Sequence, residues 1–257
     1  MTRRHRIVAA ALAALLVATA AHAGVPLWQR VLRWISGESS DTPVQTHMMG
    51  KHMQMSVRQP PQPGDATRAD EIRDAARRVL ETYRDVADAE AEGYVAFAPT
   101  GKLGEEVHYT HHFRASNEKS GIDLERPGSI LYKRTPKGMQ AVGVMYTAPG
   151  NSLPAELDKR VPLSVGVWHR HVHFCGWPSG APRKDWDGPN ARFGFAGSIA
   201  DETTCKAAGG YWIPLALGWM THIYPNETEL DKIWIGEQMM TLNTAEVEHN
   251  AHKEQKH

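Results

Sequence analysis

The 257-residue chain has only two cysteines, no excess of either charge and, beyond its first 23 residues, no long apolar run. Each shortage narrows the field. Two cysteines are too few for a disulfide-stapled miniature fold or a four-cysteine zinc module. Basic and acidic residues number 29 each, so there is no net positive field of the kind that attracts nucleic acid. No later segment reaches the roughly 18 to 20 apolar residues that cross a bilayer, and a transmembrane segment is not expected in the mature chain. HExxH, CxxC, GxSxG and a glycine-rich phosphate loop are all missing, which removes the simplest zinc-protease, zinc-finger, serine-hydrolase and nucleotide-binding readings.

What is present begins with a leader. Arg3, Arg4 and Arg6 precede an apolar run from Ile7 to about Ala21, and Ala21-His22-Ala23 offers small residues at the positions a signal peptidase reads. Residues 1–23 are therefore predicted to be a signal peptide, with a periplasmic or secreted mature chain. In an oxidising compartment Cys175 and Cys205 are expected to form a disulfide, closing a loop of about 31 residues and contributing roughly 3 to 4 kcal/mol.

Residues 24–66 read as a short helix (residues 26–36) followed by a flexible linker, because Pro43, Pro60, Pro61 and Pro63 interrupt a stretch with no sustained apolar period. The linker contains THMMGKHMQM, in which His47, Met48, Met49, His52, Met53 and Met55 supply imidazoles and soft thioethers suited to copper, Cu(I) above all. A tether with chance methionines is the plainer alternative.

Residues 67–240 are predicted to be one domain. Residues 67–92 read as a helix, with Ile72, Ala76, Val79, Tyr83 and Val86 on one stripe, Thr67 as its cap and Gly93 as its stop. Beyond it the pattern turns to strands. Residues 130–134 and 139–147 flank Thr135-Pro136-Lys137-Gly138, a hairpin sequence. Residues 163–175 read as a strand, and residues 211–224 as another with an irregular start at Pro214. One helix followed by strands argues for an α+β fold, an antiparallel sheet, open or barrel-like, covered by one long N-terminal helix. Residues 241–257 form a tail carrying His249, His252 and His257.

Histidine is where chemistry concentrates. In WHRHVHFC, His169, His171 and His173 alternate, and on a regular strand they share a face with Cys175. Neighbours two apart on a strand are close enough for two imidazoles to lean onto one metal, so further ligands must come from elsewhere. His222 in GWMTHIYP is the first outside candidate, and His108 and His112 in EEVHYTHHF come next, with His111 on the opposite face. Glu105 and Glu106 are placed to serve as proton carrier or supporting partner. Imidazole suits copper and zinc alike, and the methionines tilt the balance toward copper. The bland alternative is a set of hydrogen-bonded histidines with no ion.

The segments TYRDVADAEAEGYVAF, EEVHYTHHF, PGSILYKRTPKGMQAVGVMYTAP, WHRHVHFC and GWMTHIYP resemble a group of uncharacterised exported bacterial proteins over roughly residues 80 to 225. The resemblance implies a single exported domain and brings no activity with it. The expected function is thus exported transition-metal binding, copper-handling in its leading form, with a metal-dependent oxidoreductase or hydrolase on the same histidines as the alternative. A structural or interaction domain without metal is the third. The expected partner is a metal ion; the sequence names no protein partner.

Overall fold

The computed structural model describes residues 43–97, 102–188, 190–195 and 197–235. The expected leader, the helix after it and the histidine tail lie outside these residues. The chain divides into two units, and the second, Val44–His257, carries the architecture that follows.

Alternating apolar residues produce the dominant element, an antiparallel sheet of nine strands. In chain order these are β1 (Thr46–Met49), β2 (Met53–Ser56), β3 (Val95–Ala96), β4 (Glu106–Thr110), β5 (Ser129–Thr135), β6 (Gly138–Ala148), β7 (His169–Gly176), β8 (Tyr211–Leu215) and β9 (Trp219–Ile223). They lie in the order β1-β2-β7-β9-β6-β5-β4-β3, with β8 paired to the far end of β7. The expected hairpin is present as β5 and β6, joined by Pro136-Lys137, with Gly138 supplying a positive φ of 116°.

Among the described residues, six α-helices decorate this sheet, α1 (Asp65–Thr82), α2 (Val86–Ala91), α3 (His112–Asn117), α4 (Pro154–Arg160), α5 (Glu202–Ala207) and α6 (Leu230–Trp234), besides one 3-10 turn at Arg183–Asp185. The single helix expected over 67–92 is two, because Asp85 accepts a hydrogen bond from the Ala87 N–H and starts α2 afresh. The expectation of an α+β sheet covered by one long helix is also corrected. The fold is mainly β, and its sheet does not close into a barrel. Nine strands at about 4.8 Å spacing are far wider than the roughly 10 Å breadth of a helix. Accordingly α1 contributes Ile72, Ala76 and Val79 to a core that also needs Ala89 of α2, Leu157 of α4 and Ile233 and Trp234 of α6.

The central strands bury both faces. Tyr109, Ile130, Tyr132, Val144, Tyr146, Trp168, Trp219 and Ile223 enter the main core. Alternate residues of the same strands, Leu131, Met145, Met220 and the following Tyr224, form a separate cluster on the other face. That second face is concave. Strands β4 and β9 are three inter-strand steps apart, roughly 14 Å in a flat sheet, yet the rings of His108 and His222 come within 5.1 Å. Two local features accompany the curl: a register irregularity between Leu131 and Tyr132, and Gly143, where a Cβ would stand 2.8 Å from the Ile223 carbonyl oxygen and 3.0 Å from the Tyr224 ring.

Residues 46–56, read from the sequence as linker, form the β1–β2 hairpin and pair with β7 through Met53 opposite His171 and Met55 opposite His169. Met49 and Met55 are buried against Val167. The disulfide between Cys175 and Cys205 is present and ties the end of β7 to α5. Residues 211–224, read as one strand, are two, β8 and β9, with Gly218 between them.

Candidate metal centre

The concave face gathers histidines that are far apart in sequence. His108 leaves β4, His222 leaves β9, and His169 and His171 leave β7; all four line one cavity of about 780 Å³. The rings form a row. His108 stands 5.1 Å from His222, His222 stands 5.0 Å from His169, and His169 stands 5.6 Å from His171, each pair nearly perpendicular. Arg170, between the last two, points to the opposite face, where it lies over the Trp219 ring and donates to Gln54. Strand alternation therefore holds over residues 169–171.

It fails at His173. This residue has φ of 62°, the one positive value outside glycine among the described residues, and β7 changes partner from β2 and β9 to β8 at about this point. The side chain is exposed and stacks on Trp212 at 5.9 Å. His173 is thus outside the cluster, and Cys175 is committed to the disulfide.

The second group divides similarly. His112 lines the rim of the cavity as the first residue of α3, exposed to solvent. His111 caps the same helix by accepting from the Arg114 N–H, and its ring lies edge-on to Tyr94. Glu118, at the end of α3, anchors that helix to β6 by accepting from the Thr147 N–H and hydroxyl and from the Gly128 N–H. Glu105 accepts from the Lys102 N–H in a turn. In the β1–β2 hairpin, His47 and Met48 are exposed. His52 stacks on Phe174 and lies 2.6 Å from the Gly197 carbonyl, and only Met53 of that segment lines the cavity.

Glu106 joins the histidines. One ligand atom from each of Glu106, His108 and His222 lies within 4.8 Å of the others, and Glu106 Oε1 is 3.5 Å from His108 Nε2. Tyr224, two residues past His222 on the same face, completes the arrangement. Its hydroxyl is 3.1 Å from Glu106 Oε1 and 3.4 Å from His222 Nδ1. Burial first, then the Glu106 carboxylate, hold this phenol well above its usual pKa, so it keeps its proton. A carboxylate only accepts, so the phenol donates to Glu106 and its oxygen receives the Nδ1–H of His222. The lone pair of His222 is then on Nε2, a buried atom with no hydrogen-bond partner among the described residues. Tyr224 was not foreseen in the sequence; its i+2 spacing from His222 on an apolar strand was the available signal.

Three of the imidazoles are held neutral. Burial, then the neighbouring His171 and His108 rings, lower the pKa of His169 to about 3. Burial, then His108 and His52, lower that of His171 to about 4, and burial, then the His169, His108 and His171 rings, drive His222 well below its ordinary value. Neutral imidazole is the form that binds metal. His169 Nδ1 is likewise buried without a partner among the described residues. The indole N–H groups of Trp168 and Trp219 share that condition, but they carry no lone pair to offer a cation.

Two histidines and one carboxylate lining one cavity form a donor set that suits hydrolytic zinc and non-haem iron, where an unfilled position receives water or substrate. Among the described residues no helix is long and apolar enough to cross a membrane. Comparison with known proteins adds no relative to this geometry, since no family model, no curated protein and no solved structure matches the chain.

Proposed function

We propose that the chain is an exported transition-metal-binding protein whose ion sits on Glu106, His108 and His222. The observation that carries this reading is the buried Nε2 of His222, without a partner among the described residues, on a ring that β9 brings to the Glu106 carboxylate and His108 imidazole of β4. Leaving such an atom unsatisfied costs about 1 to 3 kcal/mol, a cost that a bound cation removes. The apolar leader pattern and the disulfide support export.

Copper and zinc are both suited to imidazole; the carboxylate favours a divalent ion. A carrier needs a closed chelate, whereas this group opens onto a cavity large enough for a small organic molecule. That favours the metal-dependent enzyme, an oxidoreductase or hydrolase, over simple copper handling. A purely structural domain would scatter its histidines rather than aim four into one cavity.

The test is metal analysis of tag-free mature protein, as purified and after loading with Zn(II) or Cu(II). Wild type should hold a stoichiometric ion, and His108→Ala with His222→Ala should lose it. Full stoichiometry in that double variant overturns the site. Wild type that takes up neither ion overturns the metal reading itself.

A further inference from the structure

We infer that the part of the cavity nearest β7 is a separate soft-metal site that takes Cu(I), built from His169 and His171 with the thioethers of Met220 and Met53. The inference goes beyond the divalent site and does not depend on Glu106, His108 or His222.

The strand register carries it. Each histidine that β7 and β9 send into the cavity has a methionine directly across the ladder: Met145 opposite His222, Met220 opposite His169, and Met53 opposite His171. Residues directly opposite in an antiparallel pair project to the same face, with Cβ atoms about 4.5 to 5.5 Å apart. All six side chains line the one cavity. Imidazole and thioether therefore alternate across β2, β7, β9 and β6, so that sulfur accompanies nitrogen at every step.

The chemistry of this half differs from that of the Glu106 half. Its donors are imidazoles and thioethers, uncharged as ligands, and no carboxylate of the divalent group belongs to the set. Burying a dication among neutral donors leaves its full charge to be desolvated, whereas a monovalent ion carries a much smaller penalty. Thioether sulfur and imidazole are also the ligands Cu(I) prefers. An independent sign of a missing partner is His169 Nδ1, buried with no hydrogen bond among the described residues, on a residue only 3% exposed. Met145 and Met220 also pack with Leu131 and Tyr224, which fixes their position. Met53 is only partly buried.

The test uses the full mature chain, metal-free and anaerobic, titrated with Cu(I) in competition with bicinchoninate, and in parallel with Zn(II). Met53→Leu combined with Met220→Leu removes both sulfurs with near-conserved shape, a mild change for a well-packed core. Cu(I) affinity should fall by about ten-fold or more, since loss of even an outer partner costs a metal site about 10- to 100-fold, while Zn(II) uptake stays at the wild-type level. X-ray absorption at the copper edge should show sulfur neighbours in wild type and none in the variant. Unchanged Cu(I) affinity, or a wild-type spectrum with nitrogen and oxygen alone, overturns the inference. So does a sulfur signal that persists in the variant, because it places copper on other methionines. If the double variant does not fold, Met53→Leu alone and the wild-type spectrum decide. None of these outcomes bears on the divalent site, which the His108 and His222 substitutions test separately.

Discussion

On the core side of the sheet the hydroxyls of Tyr94, Tyr132 and Tyr146 donate to the carbonyls of Pro127, Tyr83 and Leu124. On the opposite side, residues of neighbouring register leave His169 Nδ1 and His222 Nε2 buried and unpaired among the described residues. Both faces are packed, and both include polar rings. The core side pairs these hydroxyls, and the indole N–H groups of Trp168 and Trp219 that it leaves unpaired among the described residues carry no lone pair for a cation; the concave side leaves unpaired groups able to ligate a metal. The difference teaches that an unsatisfied atom informs by its type: a tyrosine would lose stability for nothing, whereas an imidazole keeps a lone pair available.

The largest effect should come from breaking the core side. Ile130→Ala removes a fully buried side chain and is expected to cost about 2 to 5 kcal/mol in urea unfolding, with metal content per folded molecule unchanged. A loss under about 1 kcal/mol, well below that range, would show that the two faces are not energetically distinct in this way.

Acidification acts on the concave side. His169, His171 and His222 take up protons in the unfolded chain below the ordinary value of 6.5 but not in the folded one. Their contribution to stability is therefore complete above pH 6.5 and lost as pH falls toward 4, at about 1.4 kcal/mol per pH unit for each ring kept neutral. Glu118, raised to about 7 by burial despite its hydrogen bonds, works in the opposite sense and adds stability as pH falls from 7 to 4.5. Three histidines outweigh one carboxyl, so the metal-free protein should be less stable at about pH 5 than at about pH 7. Equal denaturation midpoints at the two values would contradict this.

Tyr146→Phe is expected to cost about 1 kcal/mol, because it leaves the Leu124 carbonyl without its donor. The smallest effect should be that of His222→Leu, which exchanges a ring with an unpaired Nε2 and one long contact, 3.4 Å from Nδ1 to the Tyr224 hydroxyl, for an apolar group. Metal-free stability should rise slightly, while the Zn(II)-dependent rise in Tm disappears. A large destabilisation of the metal-free variant would mean that His222 is a structural residue.

Much of this was legible in the sequence, for identifiable reasons. The β5–β6 hairpin announced itself through alternation around Thr135-Pro136-Lys137-Gly138, and the Cys175–Cys205 pair followed from there being no other cysteine. His222 was recognisable as a distant member of the cluster because it was a histidine within an apolar strand. His173 was misplaced because alternation assumes uniform strand dihedrals, and a φ of 62° breaks it. The β1–β2 hairpin was read as linker because its inward residues are methionines rather than the β-branched residues that signal a strand, although Gly50 with φ of 66° marks its turn. Glu106 could be suspected only as a neighbour of His108. Its approach to His222 depends on the curl of the sheet, which no local pattern encodes.

Strand β9 is followed by only one described element, α6, yet it lies between β7 and β6 in the middle of the sheet. During synthesis the strands made earlier must wait, with a gap where β9 belongs, until nearly the whole described chain has emerged. The candidate ligands on β4 and β9 therefore meet only in the last stage of folding, and occupancy by an ion would report that the sheet has been completed. Contacts of such long sequence separation form slowly, which makes the interval before β9 inserts, with sheet edges open on both sides of the gap, the period of greatest exposure to aggregation.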